Sequence, residues 1–312
     1  MAEAALLRDH SGKRVLSIQS HVVSGYAGNK CAVFPLQLHG FEVDVINSVQ
    51  FSNHTGHKNG IRGTKLTLTE LQDLVKGLEA NELLEYSHVL TGYCGDVGFL
   101  KGIVALIKKL KQKNPNLIYV CDPVLGDDGY YYTPEELMAV YRDEVLYIAD
   151  VLTPNAFELS EITGLPCKTQ EECLCAVNEV HKKYGIKHVV VTSGVESKQD
   201  TVLNCFASSN NKGQIKQFRF DIPRIRGHYV GTGDVFACLL LVWLNDTFND
   251  IELSVKNVLM SLQALLKKTA EKAYGKVVDE SKKPTFKERE LCLISGRLDL
   301  LIPSGEIVCV HL

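Results

Sequence analysis

Short β-branched runs alternate with amphipathic stretches along most of this chain, and that alternation restricts its architecture more than any other feature. Val15-Leu16-Ser17-Ile18 reads as a strand that stops at Gln19-Ser20-His21, and residues 41–46 alternate as a second strand. Residues 69–83 carry Leu71, Leu74, Val75 and Leu78 at helical spacing. Residues 99–113 show the clearest helical face, with basic residues gathering in the last turns and Pro115 beyond. Strands at 88–90, 117–121, 145–152 and 188–192 are interleaved with helices at 157–163 and 171–184. Residues 201–206 and 214–220 read as a hairpin around Ser208-Ser209-Asn210-Asn211. The last third is mostly helical, over 235–244 and from 251 to about 274, before a final strand at 307–310. Repeated β-then-α units predict an α/β fold: three α/β/α layers around a central, mostly parallel sheet. With no linker or internal repeat in view, residues 1–312 are expected to form a single domain, residues 1–14 being a flexible N-terminal extension.

Composition narrows the function. A net charge of -3 lacks the basic stripe that a nucleic-acid surface needs, so no nucleic-acid partner is expected. The ten cysteines are scattered through apolar stretches without a CxxC pair, and Cys173-Leu174-Cys175 is a poor zinc signal. Buried free thiols in a reducing compartment are the expectation. The N-terminal residues carry early acids and only a brief apolar stretch, unlike a signal peptide. The longest apolar run, 235–244, is about half of what a membrane span needs. A cytoplasmic protein without a membrane partner is expected.

Polar residues gather where strands end, which is where open α/β sheets bind ligands. They are Ser20, Asn53-His54-Thr55-Gly56, Thr91-Gly92-Tyr93, Asp122, Thr153-Pro154-Asn155, Thr192-Ser193 and Gly231-Thr232-Gly233-Asp234. The last segment runs straight into the apolar stretch 235–244. Two glycines let backbone amides crowd round an anion at the start of a helix, and Asp234 is placed to accept a proton from an attacking hydroxyl. The other reading is that Thr232 and Asp234 cap that helix. No GxxxxGK[ST] occurs, no GxGxxG follows the first strand, and HExxH and GxSxG are absent.

Taken together, these segments resemble the ribokinase-like (PfkB-type) small-molecule kinases and, within them, the pyridoxal kinases. The resemblance rests on Ser17-Ile18-Gln19-Ser20-His21-Val22, Gly25-Tyr26-Ala27-Gly28-Asn29, Phe34-Pro35-Leu36-Gln37 and the long string from Asn47 to Gly56. Leu90-Thr91-Gly92-Tyr93, Val120 to Asp127, Thr153 to Glu158, Val191-Thr192-Ser193 and Val230 to Asp234 extend it over roughly residues 15–245. It implies a ribokinase-like fold and transfer of the ATP γ-phosphate to the 5′-hydroxyl of pyridoxal, pyridoxine or pyridoxamine by a homodimer.

The resemblance also implies roles. Asp234 would take the hydroxyl proton, and the amides of Gly231, Thr232 and Gly233 would hold the transferring phosphoryl group, Thr232 also touching the nucleotide. Ser20 and Thr55 would hydrogen-bond the pyridine substituents. Val49, Phe51 and Tyr93 would wall the ring, ordinary core being the alternative. Asp122 and Asp127 would form the acidic centre for Mg²⁺ or another divalent cation. Asn155 would reach nucleotide phosphate and Glu158 would orient metal-bound water, roles compatible with a helix-capping pair. Thr153, Thr192 and Ser193 would serve a K⁺ or Na⁺ ion and the nucleotide, and Tyr132 would be the lid tyrosine near ATP.

Two departures stand out. The run His57-Lys58-Asn59-Gly60-Ile61-Arg62-Gly63 replaces residues that are usually aromatic, which predicts a looser pyridine site or altered vitamer preference. The lid segment, Asp128 to Thr133, is short, and residues 225–229 would flank the adenine. Two rivals stay open: a hydroxymethylpyrimidine kinase, which typically carries Cys at the position of Asp234, and a vitamer-binding protein without turnover.

Overall fold

The computed structural model describes residues 10, 12–276 and 282–312. Its strands in chain order are β1 (Arg14–Val22), β2 (Glu42–Phe51), β3 (Gly63–Lys65), β4 (His88–Thr91), β5 (Ile118–Cys121), β6 (Gly126–Asp127), β7 (Tyr130–Tyr131), β8 (Val151–Leu152), β9 (His188–Val191), β10 (Val202–Asn211), β11 (Gln214–Pro223) and β12 (Val308–His311). The helices are α1 (Asn29–Leu38), α2 (Leu68–Ala80), α3 (Val97–Lys113), α4 (Glu136–Val140), α5 (Ala156–Thr163), α6 (Gln170–Tyr184), α7 (Thr232–Asp246), α8 (Ile251–Tyr274) and α9 (Arg297–Leu301). A ten-stranded sheet runs β12-β11-β10-β9-β8-β5-β4-β1-β2-β3. From β9 to β2 every pairing is parallel. Antiparallel strands close both edges.

The parallel strands are short apolar runs because both their faces are covered. Period-two alternation divides their side chains between two cores. Val189 and Val191 enter the core beneath α3, α5 and α6, whereas Val190 enters the core beneath α1, α7 and α8. Helix α7 is buried at every position from Val235 to Leu244, which is why that stretch has no polar face. The expected three-layer arrangement is therefore present.

Several boundaries differ from the sequence expectations. β1 does not stop at Gln19-Ser20-His21; it runs on to Val22 through a register shift between Gln19 and Ser20, and β2 lengthens to Phe51 beside it. Residues 145–152 are mostly not strand: Tyr141–Val145 is a π-helical turn, and Val151–Leu152 alone pairs. An apolar run so short carries no periodicity to separate strand from helix. The hairpin strands continue through Ser208 to Asn211 and turn at Lys212-Gly213, both at positive φ, the conformation that a tight hairpin demands. Helix α1, which contains Pro35, has no counterpart in the sequence reading.

The expected flexible extension also needs correction where it is described. His10 is buried, stacks on Phe41 at 4.3 Å and pairs with Asp246 at 2.7 Å, and Arg14 already belongs to β1. Residues 1–9 and 11 lie outside the described residues. All ten cysteines are free and most are buried, as expected. No helix among the described residues is long and apolar enough to cross a membrane.

A buried polar network anchors α1 to β1 and β2, toward one side of the sheet. Ser17 Oγ donates to Asn29 Oδ1 at 2.7 Å, and Gln19 Nε2 donates to Ser17 Oγ at 2.9 Å. Asn29 Nδ2 in turn donates to Asn47 Oδ1 at 2.8 Å and to Ile46 O at 3.2 Å. Removing Asn29 leaves buried partners without water or protein to bond, a cost of about 1–3 kcal/mol for each such group. Asn29→Ala is therefore expected to lose roughly 2–4 kcal/mol. Urea denaturation checks this; an unchanged midpoint would show that the network is dispensable.

Candidate active site

Beyond the carboxyl ends of the parallel strands lies a cavity of about 630 Å³. It collects Ser20 from β1, Phe51 from β2, Thr55 from the following turn, Tyr93 after β4, Asp122 after β5, Thr153 and Asn155 after β8, and Thr192 and Ser193 after β9. Gly231, Thr232, Gly233 and Asp234 form its floor, and Asp127, Tyr132 and Glu158 line it as well. Val49 is the exception among the expected residues. It is buried behind the wall with Val22, Ala27 and Phe51, against which Tyr93 packs, so the core reading holds for it. A wider groove of about 990 Å³ beside Val45 and Leu74 carries none of these side chains.

The floor is the N-terminus of α7. Its N-cap is Gly231 at φ 87°, and no side chain caps the helix, so capping by Thr232 or Asp234 is excluded. The first-turn amides stay available for an anion, and the helix dipole adds to their pull. Gly231 has no room for a side chain: a Cβ there would stand 2.5 Å from Cys31 Sγ and 3.0 Å from Tyr26 O. Asp234 instead turns toward Gly28, whose amide donates to its Oδ2 at 2.7 Å. Gly28 is equally constrained, at φ 55° with Ser20 O 2.0 Å from its would-be Cβ.

On the other wall, Asn155 caps α5 by accepting the Glu158 amide at 2.8 Å, and Glu158 accepts the Asn155 amide at 2.9 Å. The second Glu158 oxygen accepts the Leu125 amide at 3.0 Å, and Asn155 Nδ2 donates to Gly126 O at 2.7 Å. The capping pair thus holds the start of the short β6–β7 hairpin, which turns tightly at Asp128 and Gly129. The strand ends after β8 and β9 are joined by Thr192 N to Pro154 O and Ala156 N to Ser193 O, both at 2.9 Å.

Four carboxylates share this space with no basic side chain among the lining residues apart from histidines. Burial, then the neighbouring charges of Glu158 and Asp234, push the Asp122 carboxyl well above the usual range, and the Thr153 hydroxyl only partly offsets this. Burial raises Glu158 to about 8 against the pull of its backbone amides. Burial also raises Asp234, opposed by the Gly28 amide. Asp127 is raised by burial and by the adjacent Asp128. Such a set relaxes when a cation enters. Its donors are carboxylate and hydroxyl oxygens without thiolate, which suits a hard divalent ion rather than a soft one.

Sequence reasoning missed much of the apolar end. Leu203, Ile222, Leu259, Leu262 and Leu266 line a slot from β10, β11 and α8, and Gln263 Oε1 is buried there without a hydrogen-bond partner. Phe286 and His54 line the opposite end. Only His54 stands in a quoted motif; the others sit in ordinary amphipathic or polar stretches that carry no signal.

Residues 84–274 match the family described as phosphomethylpyrimidine kinase. A putative pyridoxal kinase of Caenorhabditis elegans is 54% identical over 96% of this chain and 94% of its own length. The pyridoxal kinase of Homo sapiens is 40% identical over 93% of this chain and 96% of its own. Among solved structures, a Leishmania donovani pyridoxal kinase in complex with ADP and pyridoxamine superposes with TM-score 0.88 at 38% identity, covering 96% of this chain and 99% of that one.

Two outcomes follow from this geometry. Asp122 and Glu158 bind protons more tightly folded than unfolded, so the stability they contribute to the cation-free protein is fully present below the ordinary carboxylate pKa. That contribution is lost as pH rises from there through the folded value, about 8 for Glu158. Asp122→Asn removes one of the repelling charges. It should raise Tm at pH 8 in chelator by a few degrees, roughly 2–4 °C for each kcal/mol relieved, and flatten the pH slope. A lower Tm in the variant would contradict the repulsion. Gly231→Ala forces a Cβ into Cys31 and should lower turnover by about 10²-fold through displacement of the helix-start amides. A steady-state assay that finds near-normal kcat would sink that account.

Proposed function

This chain belongs to the pyridoxal kinases, and from that premise we propose how its own residues phosphorylate a vitamin B6 vitamer with ATP. The observation that carries the assignment of roles is Asp234. Its carboxylate has a raised pKa, is aimed by the Gly28 amide and stands at the uncapped start of α7. A base near a developing phosphate must be fixed in direction and reluctant to stay charged, and this one is both.

Pyridoxal, pyridoxine or pyridoxamine would occupy the end lined by Ser20, Phe51, Thr55 and Tyr93, where hydroxyls meet flat apolar walls. The adenine would enter the slot of Leu203, Ile222, Leu259, Leu262 and Leu266, where Gln263 Oε1 offers an unclaimed acceptor. The triphosphate would then span from that slot to the floor, past Asn155, Thr192, Ser193 and Tyr132. Asp234 accepts the proton of the 5′-hydroxyl as its oxygen attacks the γ-phosphorus, and the bond to the β-phosphate oxygen breaks to release ADP. The amides of Gly231, Thr232 and Gly233 hold the equatorial oxygens while charge spreads over them.

Asp122, Asp127 and Glu158 would hold Mg²⁺ or another divalent cation, largely through water, and Asp122 with Thr153 and Thr192 would favour a K⁺ or Na⁺ ion. Bound there, the metal supplies charge neutralisation for the phosphates. The Cys expected of a hydroxymethylpyrimidine kinase is absent at position 234, and retention of a base facing the anion floor speaks against a pure binding protein. A homodimer and a cytoplasmic location complete the proposal.

Asp234→Ala should abolish pyridoxal phosphate formation, with kcat falling by about 10²–10⁴-fold, while pyridoxal and ADP still bind. Product assay beside calorimetry decides it: a variant of normal kcat would remove Asp234 from the chemistry. Turnover of hydroxymethylpyrimidine in preference to pyridoxal would keep the mechanism and replace the substrate.

A further inference from the structure

Residues 285–291 lie outside every motif and outside the matched family region, yet Phe286 among them lines the cavity. Glu290 is mostly buried, its side chain 14% exposed. One of its oxygens accepts the Tyr26 amide at 2.9 Å, and the other accepts His54 Nε2–H at 2.9 Å, with His57 Nε2 at 3.7 Å. Two histidines and a glutamate this close are also a conceivable metal set. The tautomer argues otherwise. His54 Nδ1 accepts the Gly56 amide at 3.2 Å, so the ring proton sits on Nε2 and that nitrogen has no lone pair for a cation.

The two arms of Glu290 reach the two segments that form the vitamer end. Tyr26 belongs to the turn that runs to Gly28, the residue aiming Asp234, and a Cβ on Gly25 in that turn, itself at φ 87°, would stand 2.4 Å from Glu290 Oε1 and push that carboxylate aside. His54 precedes Thr55 in the second segment. Phe286 covers this second segment from outside. Its ring would stand 2.7 Å from a Cβ on Gly56 and meets His54 edge-on at 5.6 Å. The Arg289 guanidinium lies 4.3 Å from the Phe286 ring centroid, and its Nη1 donates to His228 O at 2.9 Å, which steadies the ring from behind.

We propose that this segment is a clasp for the vitamer. Glu290 is a positioning residue that holds the Thr55 segment and the Asp234-aiming turn in register. Phe286 supplies the aromatic cover that residues 57–63 lack, and it sets how tightly the pyridine ring is held. The proposal rests on the assignment of this end of the cavity to the vitamer.

The experiment measures steady-state phosphorylation of pyridoxal and calorimetric binding of ADP with the full chain. Phe286→Ala should raise KM for pyridoxal about tenfold, a loss near 1.4 kcal/mol, with ADP affinity unchanged within twofold, and Phe286→Tyr should restore most of it. Glu290→Gln should lower kcat and raise KM for pyridoxal together, because an amide cannot accept from both Tyr26 and His54 at once. Phe286→Ala breaks no buried hydrogen bond, so it keeps the proposal testable should the Glu290 variant fail to fold. A lowered Tm with unchanged KM for pyridoxal in both variants would reduce the clasp to a structural strut and overturn it. A rise in KM for ATP alone would overturn it too, by moving the segment to the nucleotide end. Wild-type protein that binds ADP but leaves pyridoxal unphosphorylated would instead refute the vitamer assignment, and the ligand of the clasp with it.

Discussion

Mutual repulsion among buried carboxylates is the constraint around which the site is built. Asp122, Glu158 and Asp234 each lose hydration, and Asp122 feels the charge of both others. Left alone, such a cluster favours protonation or expansion. The fold resists expansion because each carboxylate hangs from a rigid element: the end of β5, the capped start of α5, and the start of the wholly buried α7. Repulsion of this kind lowers the stability of the site as it stands and would be relieved by whatever positive charge neutralises it.

The backbone carries as much of the design as the side chains do. Gly28 and Gly231 hold positive-φ conformations with no space for a Cβ, and between them they set where the Asp234 carboxylate points and where the uncapped amides of α7 lie. Asn29, one residue beyond Gly28, ties the same turn to Ser17 on β1 and Asn47 on β2. The direction of a single carboxylate is therefore fixed by a hydrogen-bond path that ends in the buried interior of the fold.

Much of this was legible in the chain. The β-then-α alternation predicts the layers and the parallel sheet, and strand-end polar residues from Ser20 to Asp234 converge as a switch-point geometry requires. The failures have definite causes. Residues 145–152 were too short and too mixed for a period to show. Helix α1 was hidden by Pro35, which signals a break while being accommodated within a helix. Val49 was expected beside Phe51 as a ring wall on resemblance alone; it packs in one cluster with Phe51 but does not reach the cavity, a difference of depth that two apolar residues on one strand face do not announce. Glu290 and Phe286 were out of reach because their meaning lies in contacts across more than two hundred residues of chain, with Tyr26 and His54.

That separation bears on how the molecule is made. Emerging first from the ribosome, the strand holding Ser20 and the turn holding Gly28 must wait for Asp234, and then for Glu290, before their partners exist. Closing loops of more than two hundred residues costs chain entropy before those contacts reward it, so the Tyr26 and Gly28 turns are expected to settle late in folding.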